Sequence, residues 1–168
     1  MLRYLLLPFL LGPLFLSAQT KACACCTEAH QQFHFWVGDW ETFDTKGKKL
    51  GENHIVLMQD SCIMQENWTS ATAGYTGSSY NYYDAQSKMW HQVWIDNQGQ
   101  TLNLFGGMLD GNMVLKNDEL TGPQGGKYQN RITWTPNEDG SVRQHWETTK
   151  DQGQNWQTVF DGIYRRKS

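Results

Sequence analysis

Turn signals recur along this chain at short, even intervals, and this spacing constrains the fold more than any other feature. Short clusters rich in Gly, Asn, Asp and Ser return about every 12 residues. These residue types tolerate the positive φ angles that tight hairpins require. The spacing predicts about ten short antiparallel strands in a sandwich or barrel, rather than alternating strands and helices. The clusters are Lys46–Lys48, Gln59–Ser61, Thr72–Gly74, Asp84–Ser87, Asn97–Gly99, Leu109–Gly111, Gly122–Gly126, Asn137–Gly140 and Asp151–Gly153.

The runs between these turns alternate as strands do. The chain holds 8 Trp, 7 Tyr and 7 Phe, and aromatic side chains favour a pleated sheet. Only Thr27–Phe35 is a candidate for a short helical segment. In the run 88–96, alternate residues combine large aromatic and hydrogen-bonding side chains on one face, namely Trp90, Gln92, Trp94 and Asp96.

The charge balance excludes one class of partner. Lys and Arg number 14 against 17 Asp and Glu, a net charge of −3, and no basic cluster occurs before the last four residues. A nucleic-acid partner is therefore not expected. Charged residues make up 18% and hydrophobic residues 39%, which is typical of a folded chain rather than a disordered one.

Residues 1–18 have the pattern of a secretory signal peptide. Arg3 supplies the positive start, Tyr4–Leu16 is apolar and Ala18 is a small residue at the cleavage position. The apolar run of about 13 residues is short of the ~20 that a membrane-spanning helix needs. Acylation at Cys23 is the alternative, although the residues before it depart from a lipoprotein box. We expect cleavage after Ala18, a secreted or periplasmic protein and no stable membrane insertion afterwards.

The predicted organisation has three parts: a signal peptide at 1–18, a cysteine-containing segment at 19–32 and a β-barrel domain at 33–168. Four cysteines in an oxidising compartment predict disulfides. Three of them crowd into four positions, where close neighbours are expected to bridge poorly. We therefore expect Cys26 to pair with Cys62. The other two, Cys23 and Cys25, would stay free, join another chain or bind a metal through their thiolates; no second ligand pair follows at a matching interval, and we predict no metal site.

The segment Thr149–Trp156 resembles the Asp-box, S/T-x-D-x-G-x-x-W, of sialidases and other β-proteins. We expect Asp151 to accept backbone N–H groups in the turn, Gly153 to supply a positive φ and Trp156 to pack beneath the hairpin. Sialidases carry Asp-boxes away from their active sites. The resemblance therefore implies a hairpin and a scaffold role, not sugar cleavage.

A second motif, Gly38-x-Trp40, follows the helical candidate and opens the first expected strand. It resembles the G-x-W signature of lipocalins, in which the Trp closes the barrel base and an Arg near the end of the last strand lies over it. The resemblance implies scaffold roles for Gly38 and Trp40, with Arg165 or Arg166 as the cation–π partner. We assign this role to Arg165.

Five motifs together resemble an uncharacterised group of secreted bacterial proteins, over about residues 30–166. The resemblance implies a calycin-like barrel and brings no assigned activity. The expected fold is thus an all-β, antiparallel, up-and-down calycin-like barrel of about ten strands with a short N-terminal helical segment. The motifs are Phe33–Trp40, Cys62–Trp68, Trp90–Asp96, Arg131–Trp134 and Thr149–Trp156.

A small closed barrel directs alternate side chains inward. Ligand cavities combine apolar walls with a few convergent polar groups, and the expected inward face has this character. Arg131 is included as a partner for Glu66, for Asp96 or for an anionic group of a ligand. The predicted ligand-binding residues are Glu66, Trp68, Trp90, Gln92, Trp94, Asp96, Arg131, Gln144, Trp146 and Tyr164.

The expected function is that of an exported, monomeric binding or carrier protein for a small apolar or amphipathic molecule. Two alternatives stay open: an enzyme that uses Glu66 and Asp96 as acid and base, and a partner-binding module with an exposed apolar patch in place of a cavity. No nucleophile motif occurs, since Ser79 is expected at the edge of a turn. His91 or His145 would be a haem ligand only in a porphyrin pocket, which nothing in the sequence marks, so we predict no cofactor.

Overall fold

The computed structural model describes residues 23–167, which form an antiparallel barrel preceded by a short helical segment. The helical elements are α1 (Glu28–Gln31) and a 3-10 turn (His34–Trp36). The strands are β1 (Gly38–Phe43), β2 (Lys49–Met58), β3 (Ile63–Ser70), β4 (Thr76–Asp84), β5 (Met89–Asp96), β6 (Thr101–Leu109), β7 (Asn112–Lys116), β8 (Leu120–Thr121), β9 (Lys127–Pro136), β10 (Val142–Thr149) and β11 (Gln157–Arg166).

The sheet closes because the last strand pairs with the first. In β1 and β11, Thr42 lies opposite Tyr164. The ring runs from β1 to β7 in chain order, passes from β7 to β9, and returns through β10 and β11. The predicted all-β, up-and-down barrel of ten strands is confirmed.

One expected strand is divided in two. The run between the turns at 109–111 and 122–126 breaks at Asn117, whose Oδ1 accepts the backbone N–H of Asn130 and whose carbonyl oxygen accepts from the Gln129 side chain. These bonds replace the regular ladder, and the short β8 then pairs with β9 outside the ring. All the predicted turns are present. Between β6 and β7, for example, Asp110 and Gly111 adopt φ angles of 49° and 79°, as a two-residue hairpin requires.

The predicted helical segment fills one end of the barrel, which we call the base. The Thr27 side chain caps α1 by accepting the N–H of His30. Phe33 and Trp36 are fully buried among inward-facing rings of the strands. The ring centroid of Phe33 lies 5.0 Å from that of Trp134, and the centroid of Trp36 lies 5.8 Å from that of Tyr164.

The G-x-W motif lies at this base. The Trp40 indole is buried, and its Nε1 donates to the Trp36 carbonyl oxygen at 2.9 Å. The Arg166 guanidinium lies 4.1 Å from the Trp40 ring centroid and donates to the Val37 carbonyl oxygen at 2.8 Å. The assignment of this role to Arg165 was wrong. Adjacent residues of a strand face opposite sides, and Arg165 lies over Phe43 instead, 5.2 Å from its ring.

The disulfides confirm that the cysteines are bridged but correct the expected pairing. Cys25, not Cys26, pairs with Cys62, while Cys23 pairs with Cys26. A turn in which the Cys26 N–H donates to the Cys23 carbonyl oxygen brings the Cα atoms of these two residues to 5.3 Å. This distance lies within disulfide range, so close neighbours in sequence do bridge here. Within residues 23–167 no cysteine is free, and the alternatives of a metal or an intermolecular thiol do not hold.

The expectations about export concern residues that the structure describes only in part. The predicted signal peptide, residues 1–18, lies outside the described residues, as do residues 19–22. Between Cys23 and Lys167, no helix is long and apolar enough to cross a membrane. Two disulfides are typical of proteins that fold in an oxidising compartment.

The Asp-box hairpin joins β10 and β11 as predicted. The Asp151 carboxylate accepts the backbone N–H of Asn155 at 2.9 Å and its side-chain amide at 2.7 Å. The Asn155 donors and the Thr149 hydroxyl lower the pKa of Asp151 to about 2. Gly153 has a φ of 88°, and the Trp156 indole donates to its carbonyl oxygen. The motif is a feature of the scaffold, outside the barrel interior.

Candidate functional site

Above the base, the barrel interior is an open cavity of about 490 Å³. Side chains of opposite strands and of the loops at the open end form its wall. Most of the predicted ligand-binding residues meet here: Glu66, Trp68, Gln92, Trp94, Asp96, Gln144, Trp146 and Tyr164.

Trp90 faces inward but does not line this cavity. Its indole Nε1 donates to the Ala29 carbonyl oxygen at 3.1 Å, and its ring packs edge-on against Phe33. The helical segment covers it at the base. Trp90 therefore belongs to the core and not to the site.

Arg131 lies outside the barrel, and its predicted pairing with Glu66 or Asp96 was wrong. Its Nη2 donates to the Glu147 carboxylate at 2.9 Å, and its guanidinium lies 4.0 Å from the Trp156 ring centroid. The neighbours of Arg131 on β9 face inward, so the alternation of the strand directs Arg131 outward.

Glycines on neighbouring strands make room for the aromatic wall. A Cβ atom on Gly77 would lie 2.2 Å from the Trp94 indole, and one on Gly51 would lie 2.7 Å from the Trp68 indole. Each ring therefore occupies the space that a side chain would fill on the adjacent strand. This arrangement keeps the rings against the wall and leaves the middle of the barrel open.

Glu66 lies on the base side of the cavity and is only 4% exposed. Its Oε1 accepts from the Asn53 side-chain amide and its Oε2 from the Ser79 hydroxyl, both at 2.7 Å. Burial raises the pKa of Glu66 to about 7, and the two donors oppose this rise only in part. The carboxyl therefore changes charge near neutral pH.

A network of neutral polar side chains continues from Glu66 across β4 and β5. Asn81 donates to the Ser79 hydroxyl at 2.9 Å, and Gln92 donates to the Asn81 amide oxygen at 2.9 Å. Asn53, Ser79 and Asn81 were not among the predicted site residues. Ser79 is fully buried inside β4 rather than at the edge of a turn. The available signal was the shared inward phase of Gly77, Ser79 and Asn81, small or polar residues at alternate positions.

Tyr164 on β11 extends this network through Asn53, which donates to Glu66. Its hydroxyl donates to the Gln144 side-chain oxygen, and the Asn53 amide lies 3.5 Å from the same hydroxyl. Burial, together with the nearby Glu66 carboxyl, raises the pKa of Tyr164 well above its usual value. At neutral pH the phenol is therefore uncharged.

Asp96 lies nearer the open end of the cavity, where it stabilises a turn. Its Oδ1 accepts the backbone N–H groups of Gln98 and Gln100, each at 2.9 Å, and its Oδ2 accepts the Tyr75 hydroxyl at 3.2 Å. These bonds order the turn between β5 and β6 and hold Tyr75 at the cavity wall. Both oxygens of Asp96 are thus occupied by the scaffold.

The two histidines considered as haem ligands lie on the outer surface of the barrel. His145 bonds with the Thr158 hydroxyl at 3.0 Å, and His91 stacks on Tyr82. Exposed apolar side chains, among them Tyr80 and Ile95, accompany His91 on the outer faces of β4 and β5. In the part of the chain that the structure describes, no group of three or more His, Cys, Asp or Glu side chains is arranged to hold a metal ion.

Comparison with known proteins adds no functional assignment. No protein-family model matches the chain, and no curated protein shows significant sequence similarity to it. Its function is therefore inferred from the cavity.

Proposed function

We propose that this chain is an exported binding protein that carries or sequesters a small amphipathic molecule inside its barrel. The observation that carries the proposal is the open cavity with tryptophan walls and a polar inner end. At about 490 Å³ it has the volume of a small-molecule pocket. Trp68, Trp94 and Trp146 supply the apolar contact area, and Glu66, Gln92 and Gln144 supply polar groups that orient a ligand.

We infer that the barrel is of the calycin type and that the protein works outside the cytoplasm. The closed antiparallel ring, Trp40 at its base and the Arg166 guanidinium over Trp40 support the first inference. Two disulfides and the signal-like residues 1–18 support the second. A lumen closed at one end and open at the other suits a carrier.

Native mass spectrometry of protein purified from its own host tests the proposal. We expect a non-covalent mass that is retained under gentle conditions and released on denaturation. A titration with the neutral fluorescent probe N-phenyl-1-naphthylamine provides a second measurement. Trp94→Ala is expected to weaken probe binding at least fivefold, because the indole forms part of the wall, while circular dichroism stays unchanged.

Tyr82→Ala is the matched control, since Tyr82 is an aromatic residue on the outer face of β4. It is expected to bind the probe like the wild type. Absence of any retained mass, combined with equal probe binding by both variants, would remove the proposal.

One observation favours a second candidate function, catalysis. A carboxyl with a pKa of about 7 at the inner end of the cavity is suited to general acid or base chemistry. Asp96 is occupied by the scaffold, so Glu66 would act without it. The test is to incubate the retained ligand with the protein and follow its mass: an enzyme changes the ligand covalently, and Glu66→Gln stops the change without abolishing binding.

A further inference from the structure

The described wall of the cavity carries acidic side chains and no basic ones. Among its described lining residues are two carboxyl side chains, Glu66 and Asp96, and no Lys, Arg or His. Arg131, the cationic residue predicted for the site, is paired with Glu147 outside the barrel. An anionic ligand would therefore meet like charge and no counter-charge within this wall.

Glu66 has spare capacity for a ligand. Its described hydrogen-bond partners, Asn53 and Ser79, are both neutral, and each occupies one carboxylate oxygen. A carboxylate offers about four lone-pair sites, so about two remain for a group inside the cavity. A cationic donor makes the stronger bond to a carboxylate and offsets the cost of burying its charge.

The walls suit a cation as well as an apolar body. Trp68, Trp94 and Trp146 border the same space as Glu66, and the electron-rich faces of indole rings attract ammonium groups. Asp96 adds a second acidic group nearer the open end, where it favours the approach of positive ligands.

We propose that the ligand of this cavity is an organic cation, a primary or secondary alkylamine that carries an aromatic or aliphatic body. The ammonium group donates to the Glu66 carboxylate, and the body lies against the tryptophans. This inference rests on the proposed binding function and specifies the chemical class of the ligand.

The proposal implies that binding strengthens as pH rises. An alkylamine keeps its proton up to about pH 10, so near neutral pH the protein partner is the group that titrates. The other titratable groups in the cavity are Asp96 from β5, Tyr75, Tyr128 and Tyr164. Burial raises the pKa of Tyr75 and of Tyr164, which keeps both phenols neutral. Below pH 7 the amine must displace the proton of Glu66, and its affinity falls.

Three probes that share one ring system test the inference: 1-naphthylmethylamine, 1-naphthylmethanol and 1-naphthoate, titrated calorimetrically into the whole protein at pH 8. We expect the amine to bind at least tenfold more tightly than the alcohol and the naphthoate to bind most weakly. Glu66→Gln should lower amine affinity about tenfold or more and leave alcohol affinity within twofold. Glu138→Gln, on the exposed β9–β10 turn, is the matched control and should change neither the amine affinity nor the alcohol affinity.

A pH series on the wild-type protein keeps the inference testable if Glu66→Gln fails to fold. Amine affinity should fall about fivefold from pH 7 to pH 6, with the number of protons displaced per amine bound approaching one, while alcohol affinity stays flat. If the alcohol or the naphthoate binds as tightly as the amine, the cationic ligand is wrong and the binding function stands. If none of the three probes binds and no mass is retained in the native protein, the binding function itself fails.

Discussion

At the scale of single residues, Glu66 is a buried carboxyl whose pKa is raised to about 7. A carboxylate removed from water is costly unless it finds partners, and its described partners are two neutral donors rather than a cation. This cost of burying the charged form raises the pKa of the carboxyl. In the folded protein Glu66 therefore holds its proton more tightly than in the unfolded chain.

This proton makes stability depend on pH in a defined direction. The pKa of Glu66 rises from 4.5 to about 7 on folding. The stabilisation of the folded state by the bound proton is complete below pH 4.5 and is lost as pH rises through 7. The free energy of unfolding of the wild type, relative to Glu66→Gln, should fall by roughly 3 kcal/mol over this range. Urea denaturation at several pH values measures it.

The matched control for this experiment is Glu138→Gln, at an exposed position. Its pH profile of stability should run parallel to that of the wild type. A Glu66→Gln profile that also runs parallel to the wild type would show that Glu66 is not the titrating group.

A second prediction at this scale concerns the arginine over Trp40. Arg166→Ala removes the cation–π contact and the bond to the Val37 carbonyl oxygen. We expect the free energy of unfolding to fall by about 1 kcal/mol. Arg165→Ala is the control, because that side chain lies over Phe43 at the longer distance of 5.2 Å. Guanidinium denaturation measures both variants, and an equal loss of unfolding free energy in the two would contradict the role assigned to Arg166.

At the scale of elements, residues of two adjacent strands together shape each part of the cavity wall. An aromatic residue on one strand lies over a glycine on the next, as Trp94 does over Gly77 and Trp68 does over Gly51. Neither partner defines the wall alone. The pairing explains why small residues appear at inward positions of a barrel rich in tryptophan.

We predict that Gly77→Ala narrows the cavity. The new Cβ would lie 2.2 Å from the Trp94 ring, so the indole must move. We expect several-fold weaker binding of N-phenyl-1-naphthylamine and a loss of about 1–3 kcal/mol in stability from overpacking. Gly107→Ala is the control, because no atom lies within 4 Å of the added Cβ on β6. It should change neither probe binding nor stability. Unchanged probe binding by Gly77→Ala would contradict this account of the wall.

The two disulfides are expected to stabilise the fold unequally, because only Cys25–Cys62 ties the segment before α1 to the β2–β3 turn. Cys25 and Cys62 close a span of 37 residues, and Cys23 and Cys26 a span of 3. In the chain-entropy model a longer loop constrains the unfolded state more. Removing Cys25 and Cys62 together should cost about 3–4 kcal/mol, and removing Cys23 and Cys26 about 2 kcal/mol. Thermal denaturation of the two double-alanine variants should rank them in this order, and the reverse ranking would contradict it.

At the scale of the whole molecule, the barrel is asymmetric along its axis. The helical segment fills the base with Phe33 and Trp36, while the opposite end stays open as the cavity. One closed sheet thus provides both a hydrophobic core and a binding space. The core at the base stabilises the fold, and the aromatic side chains farther along the same strands are free to serve a ligand.

We predict that the helical segment and the barrel unfold together. Phe33 is fully buried and packs against Trp90 and Trp134 from different strands. Phe33→Ala should lower the free energy of unfolding by about 3–5 kcal/mol in a single transition seen by both tryptophan fluorescence and circular dichroism. Val159→Ala, at an exposed position, should change it by about 0.5 kcal/mol or less. Separate transitions for Phe33→Ala would contradict the common core.

Local patterns in the sequence were sufficient for much of this structure. The turn clusters predicted the hairpins, because Gly, Asn and Asp tolerate the backbone angles that tight turns require. Alternation predicted that Gln92, Trp94 and Asp96 share the inner face of β5, because the side-chain period of a strand is two. The Asp-box predicted its hairpin, because the hydrogen bonds that shape the turn lie within eight residues of sequence.

Only the tertiary structure decided what those inward residues meet. Trp90 and Trp94 share a face of β5, yet about 13 Å of strand separates them, and the helical segment covers Trp90 alone. The pairing of Cys25 with Cys62 and the contacts of Glu66 with Asn53 and Ser79 likewise join residues far apart in sequence. A period of two specifies the side of a strand but not the depth along the barrel axis, and depth is set by how distant segments pack.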